Sequence, residues 1–324
     1  LHRGEELATM ADLEACYRLF LGRRPDQYGL RTYGPAIAEG RLTVARLSSF
    51  FVDSEEFRHR TTRALGGRTG APERVELADG DYVYVGSEDS VIAPAIKAHH
   101  EYEPHVARRL GDLLGPGMTF VDVGASFGYY TVLAARLVGP TGRVVACEPG
   151  PSNVSLLLLN IEAHGLANVV VEPVAASDRA GALLYYGSGG NGRTSSFSGD
   201  PGELTNGELV PARPIDELLR AQSKVDAIKI DVEGAEGRVL AGAERTLARD
   251  QPALFLELSP PALEVTSACT GEELLARLQG LGYRFEVLSP GDERSQRLAS
   301  VTEVLEQFEA AGGDHLDVLA AADA

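Results

Sequence analysis

Residues Met118 to Pro149 read MTFVDVGASFGYYTVLAARLVGPTGRVVACEP. Thr119 to Val123 is a short apolar run broken only by Asp122, the pattern of a strand buried on both faces. Gly124-Ala-Ser-Phe-Gly128 turns the chain tightly, and Tyr129 to Val138, rich in Ala and Leu, suits a helix. Gly139-Pro140-Thr-Gly142 stops that helix. Arg143 to Cys147 predicts a second buried strand with Glu148 at its C-terminal tip. This order suits a nucleoside. Glycines let the backbone approach a ligand, a helix N-terminus offers free N–H groups, and a terminal carboxylate can grip two ribose hydroxyls.

The turn is not that of a dinucleotide site. Ser126 stands where G-x-G-x-x-G has its middle glycine, so only Gly124 and Gly128 remain. Asp122, just before the turn, would repel a pyrophosphate but suits an ammonium. A ligand with a ribose and a cationic amino-acid end fits better, and S-adenosylmethionine (SAM) is one. Gly124, Ser126, Phe127, Gly128 and Glu148 are the expected cofactor contacts, with Asp122 near the methionine end.

Downstream, Pro151 to Gly165 reads as a helix, and Asn168 to Pro173 as a third strand. Its continuation Val174-Ala-Ala-Ser-Asp178 places Ala176 and Ser177 beside the adenine. Gly181 to Tyr186 reads as a strand, and Pro211 to Leu219 leads into a helix. Between them, the Gly- and Ser-rich Gly187 to Thr205 reads as a surface loop or mobile lid, with Asn191, Ser195 and Ser196 as acceptor contacts. Val225 to Val232 is a central buried strand ending in Asp231, followed by Glu233-Gly-Ala-Glu236. Ligands bind at such C-terminal tips in open α/β sheets. Glu257 sits inside the apolar run PALFLEL and should face the same crevice rather than the core. Helices at 271–281 and 303–311, and strands at 283–288 and 315–319, complete the pattern.

Upstream, Arg74–Glu76 and Asp81–Val85 alternate around Asp79-Gly80, a hairpin signal. Asp89 to Ala98 should begin a helix, and Val106 to Leu114 is another. Between them lies His99-His-Glu-Tyr-Glu-Pro104-His. Its three histidines invite a metal reading, but Pro104 breaks the i,i+4 spacing of helical metal sites. We read it as a lid whose Glu103 meets the cofactor ammonium and whose His100, with Tyr129, touches the acceptor.

Residues 1–66 read as helices at 12–21, 26–39 and 43–51, plus a capped turn at 53–57, with Tyr28, Leu30, Tyr33 and Ile37 as the inner side of the second. Residues 67–74 are the linker and 75–324 a second domain. Residues 1–70 carry 11 Arg against 9 Asp/Glu, whereas the whole 324-residue chain has a net charge of −17, so the two parts differ in character. That charge argues against nucleic acid or an anionic membrane as the main partner. No run approaches the roughly 18 apolar residues of a membrane span. Three scattered cysteines, with no C-x-x-C pair, suit a cytoplasmic protein without a disulfide framework.

With these residues in hand, the second domain resembles the FkbM-type methyltransferases, a branch of the class I SAM-dependent family. The resemblance rests on Tyr102-Glu-Pro104, Phe120-Val-Asp-Val-Gly-Ala-Ser-Phe-Gly128, Cys147-Glu-Pro149, Asn160, Val174-Ala-Ala-Ser-Asp178, Ser195-Ser196 and Ile228-Lys-Ile-Asp-Val-Glu-Gly-Ala-Glu236. It implies an α/β fold with a Rossmann-like sheet of seven strands, the last antiparallel, and O-methylation of a hydroxyl on a sugar, glycoside or polyketide. Ser259 stands where the family often has His, in a Glu-x-His-Pro pattern. Most of residues 9–60 resembles a small all-helical bacterial module of unassigned function, on Cys16-Tyr-Arg18, Gly22-Arg-Arg-Pro-Asp26, Gly29-Leu30 and Phe51-Val-Asp-Ser-Glu-Glu-Phe57. A docking or homodimer role is expected of it.

Asp231, Glu233 and Glu257 are the expected catalytic acids, with Asp231 also near the cofactor and Glu236 on the acceptor side. Together they form an oxygen set of the kind that holds magnesium, although the favoured reading carries no metal. The rivals are a nicotinamide-dependent oxidoreductase, which needs the missing glycine and a catalytic Tyr/Lys or His pair, and a non-catalytic SAM-binding module.

Overall fold

The computed structural model describes residues 7–21, 24–52, 54, 71–87, 89, 92–188, 191–205, 207–222, 224–290, 296–298, 300–312 and 314–322. The expected turn at 53–57, apart from Ser54, and the first half of the linker lie outside the described residues. The chain forms two compact units, Leu1–Gly70 and Ala71–Ala324.

The first unit holds helices Met10–Leu21, Gln27–Ala38 and Val44–Val52. Leu13, Tyr17, Phe20, Leu47 and Phe51 are buried, and the rings of Tyr17 and Phe51 meet edge to face at 4.9 Å. Asp26 caps the second helix by accepting from Gly29 N. Its inner side is narrower than expected. Ile37 is buried, but Tyr28 is 78% exposed and Leu30 also faces out.

The second unit opens with the expected hairpin, β1 (Glu73–Glu76) and β2 (Tyr82–Val85), paired antiparallel. Asn160 secures it. Its side chain accepts from Tyr84 N and donates to Tyr84 O and Phe127 O, acting as one more strand partner. Helices Ile92–His99 and Pro104–Leu113 follow. Then come β3 (Thr119–Val123), helix Tyr129–Val138, β4 (Arg143–Cys147), helix Pro151–Ala163 and β5 (Val169–Glu172). These three strands run parallel in consecutive order.

Four strands build a separate sheet: β6 (Ala175–Ala176), β7 (Gly181–Ser188), β8 (Asn191–Ser196) and β9 (Glu208–Arg213), in the order β6-β9-β7-β8. This corrects the reading of Gly187–Thr205 as a loop. Gly187 and Gly192 pair in a hairpin, with Leu184 opposite Ser195 and Tyr186 opposite Arg193. Polar strand residues are tolerated there because Ser196 and the other outer positions face water.

The chain then returns to the main sheet with β10 (Ala227–Ile230), β11 (Ala253–Leu258), β12 (Tyr283–Leu288), β13 (Gln296–Leu298) and β14 (Leu316–Ala322). Its order is β13-β12-β14-β11-β10-β3-β4-β5. β14 inserts antiparallel between β11 and β12. The expected seven-stranded sheet is therefore present, with β13 as an eighth strand at one edge. Both faces are covered. One buries residues such as Val121, Ile228, Leu256 and Phe285, and the other Phe120, Ala134, Val144 and Phe255. Each large side chain fully buried there contributes about 1.5–3 kcal/mol. The strand order reverses between β3 and β10, and such a switch point opens a crevice at the C-terminal tips. Among the described residues, no helix is long and apolar enough to cross a membrane.

Candidate functional site

A crevice of about 300 Å³ lies at that switch point, lined from the tips of β3, β4, β10 and β11, from β6 and from the second sheet. Gly124 forms its floor. At φ +86° it occupies the left-handed region, and a Cβ there would collide with the Asp231 carbonyl oxygen. The turn after β3 and the tip of β10 can meet so closely only through glycine. Gly128, also left-handed at φ +97°, serves packing instead, because a Cβ would strike Leu157 of the neighbouring helix.

Glu148 is 3% exposed. Its Oε2 accepts from Ser126 N at 2.9 Å, and its Oε1 accepts from Gly150 N at 2.8 Å and from Asn153 Nδ2 at 3.3 Å. Burial pushes this carboxyl up to about 7, against the pull of those donors. A buried carboxyl, fixed by backbone donors and lining a crevice, is suited to a ribose diol. The tip of β6 is beside it through Ala176, as expected, but Ser177 is buried behind and donates to Asp178.

Asp122 is a correction. It does not reach the crevice. It is 1% exposed and accepts from Thr131 Oγ1 at 2.6 Å, and burial raises its carboxyl to about 6. It pairs across the sheet with Lys229, so its role is in the sheet interior. Phe127 likewise belongs to the core with Val83, Val85 and Ile96. Glu103 does line the crevice. Its oxygen accepts from Tyr130 OH at 2.7 Å, and burial raises its carboxyl.

The tip of β10 is organised by a residue not singled out from the sequence. Lys229 is 6% exposed and donates to Asp231 Oδ2 at 2.7 Å, with its ammonium 4.6 Å from the Tyr130 ring centroid. Burial opposes its charge, but Asp231, Glu103 and Asp122 more than restore it. Burial also opposes the charge of Asp231, yet Lys229 and a hydrogen bond with Glu257 hold its carboxyl below the ordinary range. Glu257 takes the other side of that bond. Burial first, then Asp231, push it up to about 10, so it carries a proton at neutral pH. Asp231 and Glu257 thus form a fixed carboxylate–carboxylic acid pair rather than two bases. Lys229 shares a strand face with Asp231 by the period of two, and that alternation was the available signal.

Glu233, at φ +55°, and Glu236 line the crevice as expected. Glu236 is 2% exposed, its Oε1 accepts from Val232 N and Gly234 N, and burial raises it to about 7. Among the described residues, no three His, Cys, Asp or Glu side chains converge as a metal-holding group. Within this set Asp231 is instead paired with Lys229 at 2.7 Å.

The expected acceptor contacts fare unevenly. His100 faces β1, its ring within 3.2 Å of Glu76 O. His105 meets Asp317 at 2.7 Å, behind the sheet tips. Tyr129 accepts from Tyr102 N and packs in a tyrosine cluster. From the second sheet, Gly192, Thr194 and Tyr185 line the crevice, whereas Ser195 and Ser196 stand outside it. Asn191 is the first residue of β8. On the far side, Ser259, Asp314 and His315 complete the lining. The last two come from the turn into β14, which carried no local motif.

A 70-residue stretch is 37% identical to protein-L-isoaspartate O-methyltransferase of Methanococcoides burtonii, covering 21% of this chain and 34% of that one. A 59-residue stretch is 44% identical to ribosomal RNA large subunit methyltransferase E of Nitrosomonas eutropha, covering 16% and 29%. The chain thus spans about a third of the length of the curated relatives it matches. Among solved structures, a methyltransferase FkbM from Methylobacillus flagellatus aligns over 96% of this chain and 58% of its own, at 15% identity and a TM-score of 0.40. Residues 122–285, just over half of the chain, match the methyltransferase FkbM domain, and the chain belongs to that family.

Proposed function

We propose that the second unit is a SAM-dependent O-methyltransferase acting on a hydroxyl of a sugar, glycoside or polyketide-type small molecule. The observation that carries the reading is Glu148, a buried carboxyl at a strand tip whose flanking turn leaves Gly124 without room for a Cβ. Such a pair fits a ribose approached closely by backbone. Bound SAM supplies a methyl group on a cationic sulfur, ready for in-line displacement.

The chain's own residues do the rest. Glu148 holds the ribose hydroxyls. Asp231, kept ionised by Lys229 and Glu257, presents fixed negative charge toward the cationic part of the ligand. No reorganisation is needed when that charge is used, which is where such sites gain most. Alignment of the acceptor hydroxyl by Glu233, Thr194 and Tyr185 can supply up to about 7–11 kcal/mol of the barrier reduction.

Methyl transfer from labelled SAM to a panel of hydroxylated sugars and macrolides tests the reading. A new methoxyl resonance in the product is the expected result. Transfer only to protein carboxyls or RNA, or no transfer at all, contradicts it.

A further inference from the structure

We propose that His315 is the group that takes the acceptor's proton, an inference that rests on the methyl-transfer reading of the crevice. Three of the other acids at the strand tips, Asp231, Glu257 and Glu148, are committed, and Glu233 lines the crevice where it aligns the acceptor hydroxyl. Asp231 is bound to Lys229 at 2.7 Å and to Glu257. Glu257 holds its own proton at neutral pH. Both oxygens of Glu148 are bound to backbone N–H groups, and Glu236 is 2% exposed, with Oε1 bound to two more and Oε2 buried without a hydrogen-bond partner.

His315 lines the same crevice, and its side chain is 43% exposed. The turn that carries it is tied to the sheet, because Ser259 Oγ at the tip of β11 donates to Asp314 O at 2.9 Å. Asp314 Oδ2 lies 3.8 Å from His315 Nδ1, too far for a hydrogen bond, so the ring is free to turn toward the crevice. The imidazole also lies close enough to Asp231 and Glu233, from the tip of β10, to favour their charged forms. Arg193 of β8 also favours the charged form of Glu233.

The step balances. The acceptor O–H bond breaks and its proton goes to an imidazole nitrogen of His315. The oxygen closes an O–C bond on the methyl carbon, and the C–S pair returns to sulfur. The cationic charge thus passes from sulfonium to imidazolium.

The test compares SAM with S-adenosylhomocysteine, which lacks the methyl and the charge. The His315 ring is titrated by NMR in each complex, with its resonance assigned from His315→Gln, and calorimetry verifies that both ligands are bound. A sulfonium charge bound in the same crevice disfavours the imidazolium, by about 0.5 pH unit or more. The expected result is a midpoint lower by at least that amount with SAM. Equal midpoints with both ligands bound overturn the role of His315 and leave the methyl-transfer reading standing. Absence of binding by either ligand overturns the methyl-transfer reading itself. In a second arm, His315→Gln is expected to bind SAM as the parent does and to transfer methyl about 10²–10⁴-fold more slowly to the sugar or macrolide the parent methylates. Undiminished transfer overturns the proposal.

Discussion

Glu148 couples the site to pH. Its carboxyl ordinarily titrates near 4.5 and is raised to about 7 by burial. A raised acid holds its proton more tightly when folded. Its stabilising contribution is therefore full below about 4.5 and is lost as pH rises through about 7. A ribose diol donates to the ionised form, so affinity runs the other way. The Kd for SAM is expected to tighten up to about tenfold between pH 6 and 8, and calorimetry across that range checks it. A flat profile would remove Glu148 from the ribose. Lys229 offers a second residue-scale prediction. Lys229→Met strips the buried partner from Asp231 and should cost about 3–5 kcal/mol in chemical denaturation. Glu148 and Asp231 were legible in the sequence because acids ending buried strands are rarely idle. Their electrostatic states were not, since the proton on Glu257 depends on neighbours brought together from β10 and β11. His315 had no signal at all, because only the insertion of β14 beside β11 carries it to the crevice.

At the scale of elements, period and punctuation located most of the main sheet. β3 and β4 fall on the expected residues because each is a nearly continuous apolar run, and β12 because Tyr283, Phe285 and Val287 alternate with polar residues. The second sheet was missed because its hairpin is built from Gly, Ser and Asn, whose composition imitates a loop. Those glycines have a use. Gly150, Gly187 and Gly192 surround the Tyr185 ring, where any Cβ would collide with it. Gly192→Ala should therefore push Tyr185 into the crevice and weaken SAM binding by about 1–3 kcal/mol, read as Kd by calorimetry. Away from the site, Thr270 and Glu273 form a capping box on helix Gly271–Gly280. Thr270→Ala should cost about 0.5–2 kcal/mol of stability while leaving the Kd for SAM unchanged. A change in that Kd would show that the helix is coupled to the crevice.

At the scale of the whole molecule, the change in charge character near residue 70 coincides with the division into two units, Leu1–Gly70 and Ala71–Ala324. All the residues that line the crevice belong to the second unit. A chain reduced to residues 71–324 should therefore unfold cooperatively and bind SAM as the full chain does. The most direct test of the whole account is calorimetry of the full chain with SAM and with NAD, repeated on Glu148→Ala. The account predicts one SAM per chain, no heat with NAD, and SAM binding at least about tenfold weaker in Glu148→Ala, the cost of leaving ribose hydroxyls without their acceptor. NAD binding in place of SAM, or equal SAM affinity in Glu148→Ala, would contradict it.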